Sequence, residues 1–274
     1  MTSLNELRPF WLPLTVDGID VEIAGLHREG TGPTLVLLHG FGSTKEDYAD
    51  VVRVAALADR PVLAYDAPGC GASGCSDPSA VSIPFLVDVA AEVLRATALD
   101  RFHLVGHSMG GLTALLLADR APSRVASFVD IEGNLAPEDC FLSRQIISHP
   151  HDDPHGFLAE FTDRLRSSGE SSSALYAASL AHKVRPEAVR PIFESMVDLS
   201  DHGDLLNKFT SLPMPRMFMH GEQNAHLTYL AELRRRGVTV AEIEHSGHWP
   251  MYSNPPAMWT ALRNFLAAAV GPEG

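Results

Sequence analysis

Cysteine is scarce. The 274-residue chain has three, Cys70, Cys75 and Cys140, an odd count without regular spacing, which excludes a disulfide framework as its organising device. Small buried side chains are the expected state of Cys70 and Cys75, rather than a disulfide or a cluster. Long hydrophobic runs are missing too. No window reaches 18 uninterrupted apolar residues, so no membrane span is expected. The opening MTSLNELRPFWLPL lacks a basic segment followed by an unbroken apolar stretch, so no secretory signal is expected there. Together these features predict a cytoplasmic protein. Positive charge is in deficit. Lys plus Arg number 21 against 34 Asp plus Glu, a formal net charge of −13. Nucleic acid is therefore not an expected partner, because phosphate binding needs clustered cations. The densest basic run, Arg234-Arg235-Arg236, closes an expected helix, where cations suit the dipole. The expected partner is a small-molecule substrate, with no membrane and no nucleic acid; a homodimer stays open.

What is present is ordinary globular chemistry. Hydrophobic residues make up 45% and charged residues 20%. For this size, scaling gives about 11,600 Å² of surface folded against about 43,000 Å² unfolded, enough for one large core or a core with an appended cap.

Hydrophobic patterning places strands and helices in alternation. Leu14–Ile23 reads as two short strands around the turn Asp17-Gly18. Thr34–Leu38 (TLVLL) is a strand covered on both faces. A helix over Asp47–Leu57, a strand at Pro61–Tyr65 and a helix over Ile83–Ala98 follow. Then come the strand Arg101–Val105, a helix from Gly111 to Arg120, and the strand Val125–Ile131. From Gly133 to about Thr210 no strand is expected. Helical pieces are expected there around Asp139–Ser148, His155–Arg166, Ala174–His182 and Pro186–Asp198, with the Ser-rich 167–173 joining two of them. Sheet logic resumes with Met214–Met219, a helix near Leu227–Arg236, the strand Val238–Ile243 and a helix over Ala257–Ala269. The expected architecture is α/β: a mostly parallel eight-stranded sheet flanked by helices, its core formed by 1–132 and 211–274, with a helical cap over 133–210 after the sixth strand.

The most informative segment is Gly106-His107-Ser108-Met109-Gly110, a G-x-S-x-G lying between a strand and a helix. A serine hydroxyl is a weak nucleophile that needs a base, an exposed position and nearby amide donors. A sharp strand-to-helix turn lifts it clear of the sheet, flanking glycines let the backbone crowd there, and the helix N-terminus offers free N–H groups. His39-Gly40-Phe41-Gly42 directly follows the Thr34–Leu38 strand. The amides of Phe41 and Met109 are the candidate oxyanion donors. His245-Ser246-Gly247-His248 follows the last strand, and His248, beyond the Gly247 turn, is the candidate base ahead of His245.

The base needs a carboxylate to orient it and to stabilise the imidazolium. Within Gly221-Glu222-Gln223-Asn224 the residue at the expected spot is Asn224, an amide. Val129-Asp130-Ile131-Glu132-Gly133 ends the strand after the nucleophile helix. Glu132, at the strand's carboxyl end, is the favoured acid. Asp130, two residues deeper, and Glu222 are the alternatives.

This set resembles the α/β-hydrolase family: HGFG after the third strand, Asp66-Ala67-Pro68-Gly69-Cys70-Gly71 after the fourth, GHSMGG at the nucleophile and SGHWPMYSNP near the end. The resemblance covers nearly the whole chain except the cap. It implies Ser108 as nucleophile, His248 as base, Phe41 and Met109 as oxyanion donors, and Glu132 as the acid in the manner of the minority of members whose acid follows the sixth strand. No cofactor and no metal are implied. The expected activity is hydrolysis of a carboxylic ester-type bond through an acyl-enzyme. Carbon–carbon bond cleavage in a diketone and lactone hydrolysis would use the same groups; a slow-turnover ligand receptor is the alternative of a different class. The serine argues against the dehalogenase and epoxide hydrolase relatives, which use a carboxylate nucleophile.

Three weaker signals carry bland readings. His149-Pro150-His151-Asp152-Asp153-Pro154-His155 suggests metal binding, but its prolines fit a stiff connector with Asp153 as a helix N-cap. Phe157, Phe161, Leu165, Leu175, Tyr176, Leu180, Phe193 and Met196 form apolar stripes that hold the cap to the core, some of them lining a pocket. Glu160, Asp163, Glu187 and Glu194 could bind the ammonium of a peptide substrate, although helix surfaces carry such charges in any case.

Overall fold

A computed structural model describes residues 6–150 and 153–269. β1 (Arg8–Val16) and β2 (Ile19–Arg28) form an antiparallel hairpin. Its turn, Asp17-Gly18, has φ of 50° and 79°, the double positive φ that a two-residue turn needs to match strand twist. β3 (Thr34–Leu38), β4 (Val62–Tyr65), β5 (Phe102–His107), β6 (Val125–Ile131), β7 (Arg216–Gly221) and β8 (Thr239–Ile243) complete the main sheet. The spatial order is β1-β2-β4-β3-β5-β6-β7-β8. All neighbours from β4 onward are parallel, and β2 meets β4 antiparallel. A further two-residue strand, Gly74–Cys75, pairs with β2. The eight expected strands are present.

The central strands are buried on both faces; every residue of β3, β4 and β5 is buried. Helices cover them. α1 (Ile83–Ala96) starts at Ser82, whose hydroxyl accepts from the Phe85 amide, and buries Phe85, Val89 and Val93. α2 (Met109–Arg120) follows β5 directly. The hairpin is longer than its sequence suggested, because Pro9 and Pro13 obscure β1. As an edge strand, β1 tolerates residues that cannot donate a ladder hydrogen bond. The helix expected at Asp47–Leu57 is instead two 3₁₀ segments, Lys45–Arg53 and Ala55–Leu57.

Between β6 and β7 the described chain contains no strand of the sheet. The piece expected at Asp139–Ser148 consists of two 3₁₀ segments, Pro137–Phe141 and Ser143–Ser148. α3 (Pro154–Arg166), α4 (Ser171–Lys183), α5 (Pro186–His202) and α6 (Leu205–Ser211) follow. The serines at 171–173 open α4 rather than forming a linker. Asp153 caps α3 by accepting from the Gly156 amide at 2.8 Å, as expected. The insertion is tied to the turn after β4 by backbone bonds: Gly71 N–H to Lys183 O at 2.7 Å, and Arg185 N–H to Gly69 O at 2.9 Å. Beyond β7 come α7 (Leu230–Arg235), the short α8 (Pro250–Ser253) and α9 (Pro255–Ala269). No helix among the described residues is long and apolar enough to cross a membrane. Cys70 and Cys140 are buried and Cys75 is half-buried, all three as free thiols.

Candidate active site

The β5–α2 turn forces Ser108 into φ 51°, ψ −117°, a region costly for a residue with a Cβ and held only when the surroundings demand it. The surroundings do. The Ser108 amide donates to Ile131 O at 2.9 Å, and its carbonyl accepts from Leu112 N–H at 3.0 Å. Bare glycines make the fit possible. A Cβ on Gly106 would collide with the Gly110 backbone, one on Gly110 with the backbone of Leu38 and His39, and one on Gly111 with the Asp130 carboxylate.

His248 reaches the serine from the turn between β8 and α8. Its Nε2 lies 3.0 Å from Ser108 Oγ. The ring is held edge-on between Phe141 (5.3 Å between centroids) and Trp249 (5.0 Å). Its backbone carbonyl accepts from His107 Nε2–H at 2.7 Å. His107 itself is buried, and burial, with His248 beside it, pushes its pKa well below the usual histidine value. It is therefore a neutral strut.

Glu132 sits at the end of β6 with φ 52°, which turns its side chain under His248. Glu132 Oε2 lies 3.5 Å from His248 Nδ1, with both side chains almost completely buried. At that separation the two are within ion-pair range, but Nδ1 makes no hydrogen bond among the described residues. Such contacts commonly shorten once substrate is bound. The carboxylate has two other anchors: Oε1 accepts from the Gly221 amide at 2.6 Å, and Oε2 from Asn224 Nδ2 at 2.7 Å.

The His39–Gly42 turn closes the opposite side. A Cβ on Gly40 would lie 2.5 Å from His107 Nδ1 and 3.2 Å from Ser108 Cβ, so this backbone runs against the nucleophile. His39 takes the Ala67 amide on Nε2 at 2.8 Å, which leaves Nδ1–H to donate to Gly40 O at 2.7 Å. The Phe41 carbonyl accepts from the Tyr176 hydroxyl at 2.6 Å. Met109, the first residue of α2, is buried directly after the serine.

The structure thus gathers Ser108, His248 and Glu132, with Phe41 and Met109 beside them. The alternative acids lie elsewhere. Asp130 is fully buried against Gly111 and Gly133, and burial drives its pKa far up. Glu222 accepts from the His245 amide at 2.8 Å, and the His245 side chain is exposed. In the histidine-rich run, His149 Nε2 lies 3.0 Å from Asp153 O; His151 and Asp152 lie outside the described residues. Glu160, Asp163 and Glu194 pair with Arg164, Arg166 and Arg190, and Glu187 lies 3.9 Å from His155. Sequence reasoning gave no role to His107, took Tyr176 only as part of an apolar stripe, and marked Asn224 only as the place of a missing acid. Only the position of His107 beside the serine could have marked it; Asn224 and Tyr176 meet their partners through contacts 92 and 135 residues apart.

A narrow, nearly closed cavity lies at Ser108 and His248 beneath the insertion, lined by Phe41, Phe161, Tyr176 and Phe193 among others. Comparison with known proteins decides the family. Residues 35–261 match the model of the alpha/beta hydrolase family. The chain belongs to that family. Among alpha/beta hydrolase relatives, it is 28% identical over 262 residues to the pimeloyl-[acyl-carrier protein] methyl ester esterase of Aeromonas hydrophila subsp. hydrophila, covering 88% of this chain and 98% of that protein. It is 25% identical over 283 residues to the sn-1-specific diacylglycerol lipase ABHD11 of Mus musculus, covering 96% and 87%. A structure of the N-acyl homoserine lactonase AidH complexed with N-butanoyl homoserine superimposes with a TM-score of 0.75 at 20% identity, over 97% of this chain and 99% of that one. That likeness shows the shared alpha/beta hydrolase fold.

Proposed function

We propose that this protein is a serine hydrolase that cleaves a carboxylic ester through an acyl-enzyme, using Ser108, His248 and Glu132. The observation that carries the reading is the 3.0 Å approach of His248 Nε2 to Ser108 Oγ, with a buried carboxylate behind the imidazole. The ester and lipase activities named for the relatives support the same chemistry.

In the proposed cycle His248 Nε2 accepts the Ser108 proton as Oγ attacks the ester carbonyl carbon. The tetrahedral oxyanion takes hydrogen bonds from the amides of Phe41 and Met109. Glu132 favours the tautomer with hydrogen on Nδ1 and stabilises the imidazolium. His248 then gives its proton to the departing alkoxide, leaving Ser108 acylated. A water, deprotonated by His248, attacks the acyl carbonyl, and Ser108 leaves with the returned proton. The helical insertion, 133–210, acts as a cap that shields these steps from bulk water.

A fluorophosphonate probe tests the reading. Wild-type protein should become labelled at Ser108, and Ser108→Ala should neither label nor hydrolyse 4-nitrophenyl acetate. Tight ligand binding by an unlabelled Ser108 would favour the receptor alternative.

A further inference from the structure

The cavity above Ser108 has two chemically different walls. One is aromatic. Phe41 packs on Phe193 at 4.5 Å and on Phe161 at 6.4 Å between ring centroids, and Tyr176 stacks on Trp249 at 4.7 Å. These rings are buried and pack on one another, so they present one continuous apolar wall. The other wall is polar and comes from the start of the insertion: Asn134, Asp139 and Ser143.

The three polar residues differ in what they have left to offer. Asp139 is saturated by protein donors. Its Oδ2 accepts from the Leu135 and Ala136 amides at 2.7 and 2.8 Å, and its Oδ1 from the Tyr229 hydroxyl at 2.8 Å. Asn134 spends its Nδ2 on Ser200 Oγ at 3.1 Å and Cys140 Sγ at 3.3 Å, leaving Oδ1 as an acceptor. Ser143 is 2% exposed, and its hydroxyl has no hydrogen-bond partner among the described residues. Buried hydroxyls in native proteins are satisfied, and an orphan in a substrate cavity asks for a partner carried by the substrate. Charge narrows the choice further. Among the described residues no lysine or arginine lines the cavity, whereas Asp139 does, so a carboxylate or phosphate on the substrate would be desolvated there without a counter-charge.

We infer that the substrate is an uncharged carboxylic ester with an aromatic or branched apolar arm that lies against the Phe41–Phe161–Phe193 wall and a neutral hydroxyl or amide that pairs with Ser143 and Asn134. The inference rests on the serine hydrolase reading and names its substrate class.

The test compares four esters on wild-type protein, with Ser108 labelling by a fluorophosphonate measured in the same preparation. They are methyl 3-phenylpropanoate, its 3-hydroxy derivative, the anionic monomethyl ester of adipic acid, and methyl dodecanoate. The expected kcat/KM for the hydroxylated aryl ester exceeds that of its deoxy analogue by ~10- to 100-fold, as one satisfied buried hydrogen bond allows. Ser143→Ala should bring that ratio to about 1, mainly by raising KM for the hydroxylated ester. Loss of Ser108 labelling would count against the hydrolase reading itself. Labelling with equal rates on the hydroxylated and deoxy esters, or with the adipate monoester or the dodecanoate fastest, would overturn the substrate class and leave the hydrolase reading standing.

Discussion

Asn224 donates its side-chain amide to Glu132 Oε2 at 2.7 Å, and that same oxygen faces His248 Nδ1 at 3.5 Å. The amide at the position where an acid was first sought is thus not a vacant substitute. It holds the carboxylate that comes from the neighbouring strand end. Asn224→Ala should lower kcat by ~10-fold or more with KM nearly unchanged, since a hydrogen bond to a charged group contributes about 1.5–3 kcal/mol. In a Glu132→Gln background the same change should add little, because contacting residues do not act additively. Steady-state kinetics of the four proteins of this cycle decide it; full additivity would remove Asn224 from the positioning of Glu132.

Ser108→Ala should reduce turnover by a factor on the order of 10⁶, and Glu132→Gln by about 10⁴, through loss of the tautomer and of the imidazolium's counter-charge. Thermal melts should show both variants folded. A Glu132→Gln protein with wild-type turnover would move the acid role elsewhere.

Tyr176 reaches from α4 to the Phe41 carbonyl at 2.6 Å, so the insertion fixes the peptide next to a proposed oxyanion donor. Tyr176→Phe leaves that buried carbonyl short of a partner at a cost of about 1–3 kcal/mol. The expected result is a ~10-fold fall in kcat, with fluorophosphonate labelling slowed in parallel. Unchanged kinetics with lowered stability would confine Tyr176 to packing.

Burial raises the Asp139 carboxyl to about 7, against the pull of its three donors. In the unfolded chain it would titrate near ~4. The native state therefore keeps a proton that the unfolded state releases, and a rise in pH from about 4 to 7 favours unfolding at this site. Stability from this group is complete at low pH and lost as pH passes through about 7. Asp139→Asn removes the proton linkage. Urea midpoints at pH 5 and pH 8 should show the wild type losing stability relative to the variant as pH rises. A constant gap would mean that Asp139 is ionised throughout.

Much of the fold was legible because it is written in local patterns. TLVLL has the continuous apolar run expected of a doubly covered strand, and a strand followed by GHSMGG and an Ala/Leu-rich helix marks a sharp turn between them. The absence of strand pattern after Gly133 marked the insertion. The misread pieces have equally local reasons. Pro9 and Pro13 masked an edge strand, and Lys45–Arg53, Pro137–Phe141 and Ser143–Ser148 carry helix-like spacing but form 3₁₀ segments.

The sequence by itself determined the order of strands and helices and the kind of nucleophile, since hydrophobic period and glycine placement act over a few residues. Only the tertiary structure decided which acid meets His248. Asp130 and Glu132 are separated by one residue, yet one is sealed against two glycines and the other is swung by a positive φ beneath the imidazole. That choice depends on where β7 and the turn carrying Asn224 lie beside β6, a distance in space that no neighbouring residue in the chain encodes.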